Sequence, residues 1–263
     1  MNHIETAIIP LLMVILSFFT IINKGDNLES TVHNWNSLKI EPTKTGERRQ
    51  IVDGETMAFE HLEIHVTTLT PGKAPHGSQT HRDFEELIIV KEGKIKLTIG
   101  TEEKILGPGS IALAMIGDEH GISNAGDTNA SYYIFKWRTH DFKNSSNIDH
   151  SSSLMLDWND FEFKKTTKGA RRHVLRQPTG MLQELEMHVT TLNEGMKSHD
   201  QHTHVDEEII LVLKGQVEEL IDDQPHKAEA GSLIFLNSNV PHGIRNIGNG
   251  PCEYFAIRWI SKN

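Results

Sequence analysis

The chain has 263 residues, 37% of them hydrophobic, enough for one large domain or two ordinary ones to bury a core, so a disordered chain is excluded. Its 26 Lys and Arg against 36 Asp and Glu give a net charge of −10, with no basic stretch that would neutralise a row of phosphates, which argues against nucleic acid as a partner. A single cysteine, Cys252, excludes an internal disulfide framework, a thiolate zinc cluster and a CxxC redox pair, whereas the sixteen histidines offer transition-metal ligands wherever their spacing gathers them.

The chain starts with an apolar run. Ala7 to Ile22 carries no charge and is interrupted only by Pro10, Ser17 and Thr20 before polar Asn23-Lys24-Gly25-Asp26. As a helix it would reach about 24 Å, short of the ~30 Å hydrocarbon core of a bilayer, so residues 1–27 are expected to form a signal peptide or a membrane anchor. Export to a periplasmic or extracellular location, or anchoring through residues 7–22, follows from that expectation; a mis-assigned start on a cytoplasmic protein is the alternative. No other segment is expected to meet a membrane.

Beyond it, one unit is written twice. Gly46-Glu-Arg48-Arg49 returns as Gly169-Ala-Arg171-Arg172, Leu62 to Leu69 returns as Leu185 to Leu192, and Trp35-Asn36 returns as Trp158-Asn159, all at an offset of 123. The offset holds through Thr80-His81 and Thr203-His204, drops to 122 at Glu86 and Glu208, and stays there through His120/His242, Asn124/Asn246 and Trp137/Trp259. A tandem duplication explains so long a register. It divides the chain into a first domain over 31–140, a polar Ser-rich linker over 141–153 and a second domain over 154–263.

Each half reads as β structure. Leu87 to Val90 and Ile209 to Leu213 are short apolar runs, followed by Gly93 or Gly215 at a turn and then by strands over Lys94 to Ile99 and Gln216 to Ile221. Helical periodicity is nearly absent after the N-terminal segment. Many short strands with Gly and Pro punctuation predict an all-β fold of two tandem jelly-roll β-barrels, which leave few exposed sheet edges. The apolar outer face of each barrel then needs a cover, either a second copy in a homodimer or the other half of the same chain.

In the second half, His202-Thr-His204 is followed by Glu208, and farther on by Pro241-His242 and Asn246. His202, His204 and Glu208 are separated by even numbers, so on one strand all three side chains would share a face. If a later strand brings His242 across the same barrel, three imidazoles and a carboxylate converge, a donor set suited to Mn, Fe, Ni, Cu or Zn with open positions left for substrate or water. These residues, as His-x-His-x3-Glu-x6-Gly and Gly-x9-Pro-His-x3-Asn, resemble the two signature motifs of the cupin superfamily, and the duplication makes the chain similar to a bicupin. The resemblance implies a jelly roll per half, with His202, His204, Glu208 and His242 as ligands of one divalent first-row metal ion. It does not choose among dioxygenases, decarboxylases, isomerases, aminohydrolases and non-catalytic members.

The first half departs from that pattern. Gln79 stands where the first histidine belongs, His81 and His120 are kept, and Glu86 follows His81 one residue later than in the second half, which on a straight strand requires a β-bulge to bring it inward. Since an amide is a weak neutral ligand, Gln79, His81, Glu86 and His120 are expected to form a weakened second metal site or an empty one.

Other repeated residues have plainer expectations. His76 and His199 are expected in solvent, with pocket lining as the alternative, and His65 and His188 either face the pocket or pair across the sheet. The arginine pairs at 48–49 and 171–172 are expected in salt bridges, with a substrate clamp as the alternative. Arg245 should point outward, and Trp137 and Trp259 should pack in a core or at a dimer contact. The expected function is a metal-dependent enzyme acting on a small oxygen-rich or carboxylate substrate at the second barrel, or else a module that binds a sugar or organic acid without turnover. No general acid or base is named by the sequence.

Overall fold

A computed structural model describes residues 27–143 and 152–262; the expected signal peptide or anchor, and most of the expected linker, lie outside the described residues. Among the described residues no helix is long and apolar enough to cross a membrane. The first half contributes β1 (Thr31–His33), β2 (Glu41–Thr43), β3 (Gly46–Gly54), β4 (Phe59–Leu69), β5 (Gln79–Thr80), β6 (Glu85–Glu92), β7 (Ile95–Ile99), β8 (Glu102–Leu106), β9 (Ile111–Ala114), β10 (Glu119–Asn124) and β11 (Ala130–Thr139). The second contributes β12 (Leu154–Leu156), β13 (Glu162–Thr166), β14 (Gly169–Gln177), β15 (Leu182–Leu192), β16 (Glu207–Lys214), β17 (Gln216–Ile221), β18 (Gln224–Glu229), β19 (Leu233–Leu236), β20 (His242–Asn246) and β21 (Cys252–Ser261). All named pairings are antiparallel, as the two predicted jelly rolls require.

The first barrel closes a seven-stranded sheet, β12-β9-β6-β11-β4-β3-β2, against a four-stranded one, β5-β10-β7-β8. The second closes β1-β19-β16-β21-β15-β14-β13 against β18-β17-β20. The outermost strand in each large sheet is exchanged. β1 pairs with β19 of the second barrel, Val32 opposite Ile234, and β12 pairs with β9 of the first, Met155 opposite Ala112. Each sequence half therefore supplies an edge strand to the other barrel.

Why the central strands are apolar at consecutive positions is now plain. Alternate residues of a strand face opposite ways, so Ile88 and Val90 of β6 fill the first barrel while Leu87 and Ile89 face the second half. In β16, Ile210 and Val212 fill the second barrel while Ile209 and Leu211 face the first. The two large sheets cover each other across one shared core that includes Phe59, Phe135, Trp137, Phe255 and Trp259. Of the two covers expected for the apolar outer faces, the chain uses its own other half.

Glycine marks the places where the halves lock. After each exchanged strand comes a short 3-10 turn whose tryptophan docks on the other barrel: the Trp35 N–H donates to Ser232 Oγ (3.1 Å) and the Trp158 N–H to Ser110 Oγ (3.0 Å). Trp158 lies over Gly109 (φ +82°) and Trp35 over Gly231 (φ +95°), where a Cβ would come within 2.3 and 2.8 Å of the indole.

Candidate functional site

The second barrel's site is assembled from a bridge, a loop and two strands. His202 is joined to His242 by an isolated antiparallel bridge, with both N–H···O bonds at 3.0 Å. His204 lies in the loop that follows, Glu208 is the second residue of β16, and His242 begins β20. Sequence parity along one strand thus pointed to the right convergence for the wrong reason, because residues 203–206 are not a strand. The loop and the 202–242 bridge bring the imidazoles together instead.

The same loop corrects the expected β-bulge in the first half. Between Thr80, which ends β5, and Glu85, which starts β6, residues 81–84 form a loop, so the extra residue sits there and β6 pairs in unbroken register with β11 from Glu85 to Val90. Lengthening a loop by one residue costs little closure entropy, whereas a bulge would disturb a ladder buried on both faces.

Geometry in the second barrel points the nitrogens inward. His204 Nδ1 lies 2.8 Å from the Asp206 carbonyl and His242 Nδ1 2.8 Å from the Val240 carbonyl; each carbonyl accepts from Nδ1–H and leaves Nε2 with a free lone pair. One ring nitrogen from each of His202, His204 and His242 lies within 4.8 Å of the others. Glu208 Oε2 is 3.2 Å from His204 Nε2 and 3.3 Å from His242 Nε2. Burial opposes ionisation of Glu208, but the adjoining His204 and His242 rings outweigh it and hold the carboxyl at about 2. Partial desolvation and the neighbouring imidazoles lower His202, which is exposed at the cavity mouth, favouring its neutral form. His242 Nε2 is buried with no hydrogen-bond partner. An orphaned imidazole nitrogen facing two more imidazoles and a carboxylate fits a metal ion of the first transition row.

The first barrel is arranged differently. His81 Nε2 is 3.1 Å from Glu86 Oε2 and 3.1 Å from Gln79 Nε2, and His120 Nε2 is 3.6 Å from Glu86 Oε1. Lys136 also reaches this carboxylate, its Nζ 3.6 Å from Glu86 Oε2. Despite burial, hydrogen bonds from His120 and His81, with the Lys136 charge, hold Glu86 well below the usual carboxylate range. The equivalent of Lys136 in the second barrel is Arg258, which is drawn away to Glu186 (2.5 Å) and Asp206 (3.7 Å). Glu86 thus already has a cationic partner and lacks one imidazole, so the first set fits a metal ion less well than the second.

The histidines of the Thr-rich strands both face cavities. His188 lines the second cavity, of about 420 Å³, and His65 the first, of about 210 Å³. His199 and His76 are exposed but line the same two cavities, with the His199 ring 4.1 Å from that of His202. The arginine pairs divide their work. Arg48 pairs with Glu63 (2.5 Å) and Arg171 with Glu186 (3.4 Å) at the cavity walls, while Arg49 and Arg172 stack on Trp35 and Trp158. Arg245 is exposed and bonded to Glu218 (2.9 Å), and Trp137 and Trp259 lie in the core between the barrels.

Three acidic residues escaped the sequence reading. Glu85 and Glu207, 0% and 2% exposed, precede Glu86 and Glu208 and so point the opposite way, into the other half. Glu207 accepts from Thr56 Oγ1 (2.8 Å), the Met57 N–H (2.9 Å) and Trp259 Nε1 (3.2 Å); Glu85 accepts from Thr179 Oγ1 (2.6 Å), Trp137 Nε1 (3.0 Å) and the Met181 N–H (3.2 Å). The third, Glu219, lines the second cavity beside the histidines. A Glu-Glu doublet repeated in both halves was the available sign for the first two.

The family model of the cupin domain matches residues 65–136 and 188–258, more than half of the chain. No curated protein matches the sequence. Among solved structures, a Pseudomonas aeruginosa protein described as glyoxylate induced is similar at 13% identity, with TM-score 0.71 over 92% of this chain and 93% of that one. The protein Ylba of Escherichia coli is similar at 15% identity, TM-score 0.69, over 92% and 96% of the two chains. The oxalate decarboxylase of Lactobacillus farciminis, in its formate complex, is similar at 13% identity, TM-score 0.69, over 90% and 88%. At these identities the likeness is one of fold.

Proposed function

The chain belongs to the cupin family and carries two cupin domains in tandem, and from that premise we propose that its second barrel is the site of a metal-dependent enzyme acting on a small oxygen-rich or carboxylate substrate. The observation that carries this reading is the convergence of one nitrogen each from His202, His204 and His242, within 4.8 Å of one another beside Glu208. His202, His204, Glu208 and His242 would hold one divalent ion of Mn, Fe, Ni, Cu or Zn. When bound, such an ion supplies Lewis acidity toward a substrate oxygen.

The remaining work falls to the chain's own residues. The Asp206 and Val240 carbonyls hold His204 and His242 in the tautomer that presents Nε2. Glu208 offsets positive charge at the cluster. Lys168, Arg171 and Arg258 line the same cavity with Glu186, Glu208 and Glu219; with Glu208 given to the ion and burial favouring the neutral form of Glu219, three cations face one remaining wall carboxylate, an arrangement that draws in an anion. A carboxylate substrate also agrees with the oxalate decarboxylases among the structural neighbours.

Metal analysis of the purified full-length protein tests the reading. Roughly one first-row metal per chain is expected, lost in His204→Ala and retained in His81→Ala, because removing an imidazole ligand forfeits metal affinity only where the metal sits. Metal-free wild-type protein after supplementation, or loss in His81→Ala alone, would overturn it.

A further inference from the structure

β17 carries an acid where the pattern of the fold asks for an apolar residue. Alternate residues share a face, and Val217 and Ile221, on either side of Glu219, belong to the core inside the second barrel. The equivalent strand of the first barrel, β7, presents Ile95, Leu97 and Ile99, all buried in that barrel's core. At the position of Leu97 the second barrel has Glu219. Its side chain is 1% exposed, and neither carboxyl oxygen has a hydrogen-bond partner. A buried polar group left unpaired destabilises a fold, and such groups ordinarily find partners. Leu97 shows that this barrel type accommodates leucine here, so packing does not require the acid.

The register says what the acid faces. β17 and β20 are antiparallel neighbours with Ile221 opposite His242 and Glu219 opposite Ile244. Glu219 is therefore on the inward diagonal from His242, a separation of roughly 7–8 Å between backbones that side chains span readily. It lines the 420 Å³ cavity together with His202, His204, Glu208 and His242. Resting on the reading that this cavity takes a small organic acid against the histidine cluster, we propose that Glu219 is its ligand-recognition residue, the carboxyl group donating a hydrogen bond to an oxygen of the bound acid.

Its electrostatic surroundings support the donor role. Burial, reinforced by the negative charge of Glu208, pushes the Glu219 carboxyl well above the usual carboxylate range. A protonated carboxyl has an O–H to donate, whereas an ionised one only accepts. The ligand supplies the partner that the protein withholds. The first cavity, with half the volume and Leu97 at this position, cannot make the same contact.

Infrared difference spectroscopy on the full-length protein, with oxalate as probe, tests the assignment in wild type, E219Q and E219L, with metal content measured on each sample. Subtracting E219L from wild type isolates the carbonyl band of protonated Glu219 from that of other buried carboxyls such as Glu85. The band is expected in wild type and expected to shift when oxalate is added. Oxalate affinity is expected to fall about tenfold in E219L and to stay within about threefold in E219Q, which keeps an N–H donor of similar shape. Metal content should be equal in all three. Absence of the band, a band that oxalate does not move, or equal oxalate affinity in E219L overturns the assignment. Metal absent from all three samples while the band still shifts would instead bring down the metal reading and leave Glu219 in its role.

Discussion

His188 illustrates how one half-buried side chain couples this fold to pH. Its ring lines the second cavity, Nδ1 3.9 Å from Glu186 Oε1, and burial, assisted by the Arg171 charge, lowers its pKa to about 4. Unfolded, it titrates near 6.5. Between those values the unfolded chain binds the proton that the folded one refuses, so stability is full above about pH 6.5 and declines as pH falls toward 4. At about 1.4 kcal/mol per pH unit, His188 accounts for a loss of roughly 2–3 kcal/mol between pH 7 and 4.5. Urea denaturation of chelator-treated wild type and His188→Asn over that range checks this: the stability difference between the two proteins should change by that amount, and parallel curves would refute it. Glu208, held at about 2, is common to both proteins, so its own contribution cancels in the difference. At this scale the four second-barrel residues were legible because their spacing is a motif. Glu219 was legible only once the alternation of Val217, Glu219 and Ile221 was set against Ile95, Leu97 and Ile99.

Elements of this fold are tied by acids as much as by apolar faces. Glu207 lies at the start of β16, adjacent to Glu208, and its carboxyl closes the turn before β4 in the other half by accepting from Thr56, from the Met57 and Ala58 amides, and from Trp259. Truncation would leave these donors buried without an acceptor, at about 1–3 kcal/mol for each one that finds no water. Glu207→Ala is therefore expected to lose at least about 3 kcal/mol in chemical denaturation, with Glu207→Gln losing less because it keeps one acceptor oxygen. A loss under 1 kcal/mol in Glu207→Ala would mean that the contacts are dispensable. The apolar runs and turn glycines revealed β6, β7, β16 and β17 in the sequence. The route from His202 to Glu208 was not revealed, because even spacing looks the same whether the intervening residues form a strand or a loop.

At the scale of the molecule the two barrels are one folding unit. β1 and β12 complete each other's sheets, and the residues facing outward from each barrel form a single core with those of the other. Either half alone would lack an edge strand and expose an apolar face larger than soluble monomers tolerate. Fragments 27–143 and 152–262 are thus expected to be insoluble or non-cooperative when produced separately and to co-purify in equal amounts when produced together. A fragment that unfolds cooperatively as a soluble monomer would show that the shared core is not required.

The repeat, the all-β pattern and the ligand-type residues at motif spacing were open to inspection in the chain, because duplication and alternation are local, periodic properties. Which barrel each edge strand joins, what covers the apolar faces, and what the first member of each Glu-Glu doublet bonds to were decided only by the packed fold, since these depend on residues of opposite halves meeting in space. The contrast between the sites was partly legible in Gln79, which stands where the second half has His202, and the rest has the same tertiary origin. Lys136 and Arg258 are equivalent in sequence, yet the first reaches Glu86 while the second is held by Glu186 and Asp206, and only the arrangement of their neighbours separates a carboxylate already paired from one that is free to complete a metal site.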